Sequence, residues 1–320
     1  MKLTYEAYAK INLILDVTGV KQNGYHTLFT VMQSIGLKDV ITVEKTKGEK
    51  ITISCTDETV PTDSKNIVYK CAVKFFEHFK IEKDKGIHIH IEKNIPHEAG
   101  LGGGSADGAA VLVALNKIFE VNASKRTLMF IGGKVGADIP FCVVGGTALC
   151  QDIGTVVAPL PDIKECCIVI VKPESGSSTI KAYDAIDSLG ERLKHTKNNE
   201  MLENLLEENL NDALKYCDNV FEQVIEVPDR ADIKHVLRKH NSSAACMSGS
   251  GSAIYGIFFN EKDAMNAKKE LEKNYKKVYI CDRKNTGVKF LENNWIKWKM
   301  TANNSFNERK AVFIYDNLYI

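Results

Sequence analysis

Residues 100–105 read Gly-Leu-Gly-Gly-Gly-Ser, and the apolar stretch Ala106 to Phe119 follows at helical spacing. Glycines at four of five positions leave backbone N–H groups unshielded where a helix begins. Such groups, with the positive end of the helix dipole, favour an anion, most often a phosphate. No Gly-Lys-Ser/Thr follows, so the loop is not a Walker A sequence, and it lacks the GxGxxG dinucleotide pattern. Ser105 suits a helix cap, a phosphate contact or a phosphate-bound magnesium ion. A flexible loop before a capped helix is the plainer alternative.

Gly136-Ala137-Asp138-Ile139-Pro140-Phe141 is the second candidate. Asp138 could take a proton from a hydroxyl nucleophile, or it could simply cap a turn. Lys10 and Asn12 alternate on one face of an apolar strand, so a cation and an amide enter one space. The rival is an edge lysine whose head reaches water. Gly24-Tyr25-His26 sets a flat ring and a two-sided hydrogen-bonding group after a turn, suited to a nucleobase or sugar. Such residues also pack loops. Met247-Ser248-Gly249-Ser250-Gly251-Ser252 either admits a ligand close to backbone or is an ordinary turn. His88 and His90 share a strand face without a third ligand at sensible spacing, and read as solvated rather than metal-binding.

These residues need elements to hold them. Residues 7–17 alternate as a half-buried strand, with Ala9, Ile11, Leu13 and Leu15 on one face. Asn23-Gly24 is a hairpin signal. Strands are expected over 30–35, 40–43, 86–91, 168–171, 253–259 and 278–282. Helices are expected over 69–79, from the glycine loop to 119, over 124–134, through much of 178–218, up to 240, and over 263–275. The mixture lacks a strict βαβ rhythm, so α+β is the fold class. The prolines of Ala158-Pro159-Leu160-Pro161-Asp162 suggest a domain boundary there.

The chain has 320 residues, 44% hydrophobic and 26% charged, a soluble globular balance. Its 42 Lys+Arg against 41 Asp+Glu give a net charge of +1, which disfavours nucleic acid and membrane surfaces as partners. The nine cysteines form no CxxC pair, so neither a disulfide framework nor a zinc ribbon is expected. The N-terminus lacks the apolar core of a signal peptide, and a reducing cytoplasm is the expected setting.

Six stretches in this order resemble the GHMP kinase superfamily. They are AKINLILDVTG (9–19), GYHTLFTVMQSI (24–35), KNIPHEAGLGGGSADGAA (93–110), GADIPFCVVGGTA (136–148), SSTIKAY (177–183) and MSGSGSAIYGIF (247–258). AKINL, GYHxLxxxMQ and GADIPF together resemble its diphosphocytidyl-methylerythritol kinase branch, of the non-mevalonate isoprenoid route.

The resemblance implies two α+β domains with the active site in their cleft. An S5-domain-2-like nucleotide-binding domain would span 1–160 and a ferredoxin-like domain 161–290, with a tail of unassigned role over 291–320. It implies transfer of the ATP γ-phosphate, with Mg2+, to the 2-hydroxyl of the methylerythritol unit. Gly100, Leu101, Gly102, Gly103, Gly104 and Ser105 would cradle the triphosphate. Asp138 would be the catalytic acid–base and Lys10 its partner, with Asn12 beside the substrate. Tyr25 and Tyr183 would flank the cytosine and His26 bond its edge. Asn66 and Lys93 would lie near adenine and ribose, and Thr179 near the substrate. The implied molecule is a monomer or homodimer acting on a small-molecule substrate. Another GHMP small-molecule kinase and a non-catalytic nucleotide-binding relative are the alternatives. Three positions depart from the family pattern: Gly108 in the helix after the loop, Gln151 to Thr155, and Asn241.

Overall fold

The computed structural model describes residues 1–176 and 179–291. Ser177, Ser178 and the tail after residue 291 lie outside the described residues. The backbone of the fold is a long antiparallel pair, β1 (Lys2–Val20) and β2 (His26–Lys45). Their register runs from Lys2 opposite Glu44 to Val20 opposite His26, with irregularities at Tyr8/Lys10, Asn12/Ile14 and Val17/Gly19. Such irregularities re-aim side chains, and the first two bracket Lys10 and Asn12. The expected strands 30–35 and 40–43 are one continuous strand. Gly36 lies between them, and a Cβ there would stand 3.2 Å from Cys281 Cβ. A glycine in a strand marks such close approach rather than a break.

β3 (Ile51–Cys55) and β4 (Ile87–Glu92) extend one end of β2; β5 (Thr147–Asp152) and β6 (Val156–Pro159) extend the other. Four helices accompany this half: α1 (Ile67–Phe79), α2 (Gly103–Ile118), α3 (Lys125–Gly133) and α4 (Ile139–Val144). α2 is buried over most of its circumference, from Ala106 to Leu112 without interruption. Its small residues let β1, α1 and α4 approach on several sides at once.

The second half holds β7 (Cys167–Val171), α5 (Thr179–Leu189), α6 (Asn198–Leu206), α7 (Leu210–Ala213), β8 (Asp218–Asn219), α8 (Arg230–Lys239), β9 (Ala244–Met247), β10 (Ile254–Phe258), α9 (Glu261–Leu271), β11 (Val278–Lys284) and β12 (Val288–Leu291). Its strands lie in the order β11-β7-β10-β9. With α8 and α9 as crossovers this is a ferredoxin-like βαββαβ unit. A separate apolar cluster, including Phe221, Ile233, Leu237 and Phe258, forms its core and takes in Leu15 and Val17 of β1.

The halves share one continuous sheet. β11 pairs with β7 and, through Arg283 and Lys284, with β2. β12 returns to β1, with Leu291 opposite Thr4, and β8 runs parallel beside Ile14 and Leu15. The middle of β1 is therefore covered from both halves. Its Lys10 and Asn12 face is buried too, which corrects the half-buried expectation.

Candidate active site

Lys10 is only 4% exposed, so it is not an edge lysine reaching for water. Its Nζ donates to Asn12 Oδ1 at 2.8 Å and stands 3.4 Å from Asp138 Oδ2. Its backbone N–H donates to the Leu101 carbonyl at 3.0 Å, tying β1 to the glycine loop. Asn12 is held at both ends. Its Oδ1 also accepts from the Gly249 N–H at 2.9 Å, and its Nδ2 donates to Thr30 Oγ1 at 2.8 Å. The acceptor side of this amide is thus committed to aiming Lys10, while one of its two Nδ2 hydrogens is left over.

Asp138 stands at the start of α4 and makes no side-chain cap hydrogen bond. The capping alternative fails, and a 30%-exposed carboxylate turns toward Lys10 instead. The lysine offsets its charge. Burying either group without the other would cost about 3–5 kcal/mol in a fully buried setting, less with this exposure.

The glycine loop meets this pair from α2. Gly102, at φ 70°, precedes the helix and supplies no side-chain cap. The first turn of α2 thus keeps N–H groups for an anion. A Cβ on Gly102 would stand 3.0 Å from Lys10 Cγ, and one on Gly100 would strike the Ser248 carbonyl at 2.0 Å. The loop is seated on Lys10 on one side and on the Met247–Ser252 turn on the other. That turn is more than an ordinary connection. Ser248 Oγ donates to the Gly100 carbonyl at 2.9 Å, and Asn219 Nδ2 donates to the carbonyls of Met247 and Gly249.

One cleft of about 840 Å³ is lined by Lys10, Asn12, Gly100, Gly102, Gly103, Gly104, Ser105, Asp138, Tyr25, His26, Thr179 and Tyr183. Leu15, Leu28, Glu98, Lys134, Ile153 and Phe221 also line it. None of these six was singled out from sequence. Leu15, Leu28 and Glu98 fall inside the stretches that carry the family resemblance, and Lys134 lies just before the Gly136–Phe141 motif.

The aromatic end differs from the expected sandwich. His26 stacks on Tyr183 at 4.5 Å between centroids and 23° between planes, and its Nε2 is 2.7 Å from Asp187 Oδ1. Phe221 meets Tyr183 edge-on. His26 therefore covers a face of Tyr183, while Tyr25 is 60% exposed. Burial, with the Asp138 charge adding, pushes the Tyr183 phenol up to about 12. Thr179 Oγ1 and Ser250 Oγ, 2.9 Å apart, join α5 to the turn at the cleft lip.

Three expected nucleotide contacts sit elsewhere. Asn66 caps α1, accepting from the Val68 N–H at 2.9 Å and donating to the Pro61 carbonyl at 2.6 Å. Leu101 is buried, and its carbonyl serves Lys10. The Lys93 ammonium is buried between Asp39 Oδ2 at 2.5 Å and Asp107 Oδ2 at 2.8 Å. Burial pulls that ammonium down, but the two carboxylates outweigh it and hold it above its ordinary value. None of the three lines the cleft: the Asn66 and Lys93 side chains are taken by neighbouring backbone and charge, and the Leu101 side chain is buried. Among the described residues, no group of three His, Cys, Asp or Glu is arranged to hold a metal. His88 bonds Thr52 and Ser54, and His90 bonds Ser54.

Comparison with known proteins decides the family. The model of the GHMP kinases N terminal domain matches residues 66–146, and that of the GHMP kinases C terminal domain matches 186–277. A 4-diphosphocytidyl-2-C-methyl-D-erythritol kinase of Caldicellulosiruptor bescii is 43% identical over 283 residues, 88% of this chain and 97% of that protein. The chain belongs to that kinase family. The same-named protein of Clostridium perfringens is 42% identical over 86% of this chain and 96% of its own length. A crystal structure of 4-(cytidine 5'-diphospho)-2C-methyl-D-erythritol kinase superposes with a TM-score of 0.71 at 26% identity, over 88% of this chain and 99% of that one. A homoserine kinase structure from Cytophaga hutchinsonii also gives 0.71, at 18% identity over 91% and 97%, which speaks to the fold alone.

The departures from the family pattern have local explanations. Asn241 sits at φ 64°, a left-handed position that Asn tolerates. Asp152 takes φ 60° and pairs with Lys21. Gly108 faces Cys71, whose Sγ would lie 2.9 Å from an added Cβ.

Proposed function

We propose that this GHMP kinase transfers the γ-phosphoryl group of ATP to the 2-hydroxyl of 4-diphosphocytidyl-2-C-methyl-D-erythritol. The observation that carries the reading is the Lys10–Asp138 pair, 3.4 Å apart, in the same cleft as the uncapped N-terminus of α2. Phosphoryl transfer needs little covalent help from a protein. It needs positioning and charge stabilisation.

In this reading the α2 N–H groups and Gly100–Ser105 hold the phosphates. The acceptor hydroxyl oxygen bonds to the γ-phosphorus as the bond to the β–γ bridging oxygen breaks and ADP leaves. Asp138 takes the hydroxyl proton, a contribution of about 10²–10⁴ in rate. Lys10, aimed by Asn12, offsets charge on the transferring group. Tyr25, His26 and Tyr183 receive the cytidine end, where base stacking contributes about 1–3 kcal/mol per base.

Ser105 supplies a hard oxygen donor in the cleft, which suits a magnesium ion brought in by ATP rather than a resident protein cage. When bound, that ion would neutralise phosphate charge. Residues 1–160 serve as the nucleotide domain and 161–290 complete the acceptor side. Nine unpaired cysteines fit a reducing compartment such as the cytoplasm.

The test is ADP release from ATP and magnesium with acceptors offered singly: the cytidine compound, homoserine, mevalonate and galactose. Turnover with the cytidine compound alone is expected. Turnover with another acceptor, or with none, contradicts the assignment.

A further inference from the structure

The charge cluster around Lys93 lies outside the cleft but directly under its glycine loop. Lys93, Asp39 and Asp107 have side chains 3%, 0% and 4% exposed. They come from three places: Asp39 from β2, Lys93 from the end of β4 and Asp107 from the second turn of α2. A Cβ on Gly103 would stand 3.0 Å from Lys93 Nζ, so the ammonium forms the floor beneath the loop.

The hydrogen bonds do not share the charges evenly. Asp39 is saturated. Its Oδ2 accepts from Lys93, and its Oδ1 accepts from the N–H groups of Asn94 at 2.6 Å and Ile95 at 2.8 Å. Asp107 accepts from Lys93 through Oδ2, while its buried Oδ1 has no partner. Were both carboxyls ionised, one lysine would face two buried negative charges. The surplus charge would sit below a loop that is to hold polyphosphate, and a buried oxygen would lack a partner. Both features are costly. A proton on Asp107 removes the surplus charge, and Asp39 lies within reach to share it; the unpartnered oxygen then belongs to a neutral group. Burial and Asp39 push the Asp107 carboxyl well above the usual range, with Lys93 opposing. The other titratable neighbours that feel its charge are the thiols of Cys55 and Cys142.

We propose that Asp107 is protonated in the working enzyme, and that the neutral Lys93–Asp39–Asp107 cluster positions the glycine loop for the nucleotide. The positioning role rests on the ATP reading of the loop; the protonation state does not. Lys93 thus acts on nucleotide through the loop rather than by contact.

Two measurements on the full chain test this. Infrared spectra of the nucleotide-free protein at neutral pH should contain the carbonyl band of a protonated carboxyl, absent in Asp107→Asn. Absence of the band from the wild type overturns the proposal. In steady-state kinetics, Asp107→Leu should raise the KM for ATP about tenfold with a smaller change in kcat, and Asp107→Asn should restore it to within about threefold. Lys93→Met should raise the same KM about tenfold, and adding Asp39→Asn should recover most of the loss. An Asp107→Asn variant as impaired as Asp107→Leu also overturns it. The band is read without nucleotide, so a failure of the ATP reading appears separately, as absent turnover.

Discussion

At Lys10, a strand position, an amide and a glycine act together. Alternation along β1 turns the side chain toward α2, Asn12 holds the ammonium from behind, and Gly102 leaves room for the stem. Gly102→Ala is therefore expected to act twice. A left-handed alanine costs about 1–2 kcal/mol, and its methyl group displaces the lysine from Asp138. We expect a lower urea midpoint and a kcat reduced about tenfold. Unchanged kcat would show that the stem's position does not matter. Lys10 and Asp138 stood out in sequence as a cation in an apolar strand and an acid two residues before Pro140, but each kept a plain alternative there, and their pairing came from the family resemblance. Asn66 and Lys93 did not. The chain shows where such residues fall but not which backbone or carboxylate captures them first. Asp107 did carry a signal, an acid among the small residues of α2, but its partners lie far away in sequence.

Among the elements, α2 governs the site, and Gly108 is its most instructive position. Sequence reasoning treats this glycine as a loss of up to about 1 kcal/mol against alanine. The packing reverses the sign. An added methyl would lie 2.9 Å from Cys71 Sγ and 3.1 Å from Ile67 Cγ2, and overpacking of this kind costs about 1–3 kcal/mol. Gly108→Ala should thus lower stability by about 1 kcal/mol, and the penalty should vanish in a Cys71→Ala background. Chemical denaturation of the four variants checks both statements. Elements with clear periodicity or a continuous apolar run, such as α2, β4 and β7, were legible. The missed ones were β3, β5, β6, β8, β9, β12 and α4. They are short, and partners distant in sequence stabilise them, as β1 does for β12. Periodicity cannot report such pairing.

Across the whole molecule, burial acts on all nine thiols in the same direction. It pushes Cys71, Cys166, Cys217 and Cys281 up to about 12, and it raises Cys55, Cys142, Cys150, Cys167 and Cys246 as well. The unfolded chain releases these protons from about pH 8.5, before the folded one does. Their contribution is thus fully present below that pH and is lost as pH rises toward about 12. Thermal unfolding should show a falling Tm above about pH 9. A thiol reagent near pH 8 should label the native protein slowly and the denatured protein at nine sites. Rapid native labelling would contradict the buried arrangement. The fold as a whole brings β1, α2 and the start of α4 to one cleft, where Asp138 is the proposed base. The most direct measurement is the single-turnover rate of Asp138→Asn with ATP, magnesium and the cytidine acceptor all saturating, beside its affinity for ATP. The rate should fall at least about 100-fold with ATP affinity nearly unchanged; a rate within a few-fold of wild type would rule out Asp138 as the base.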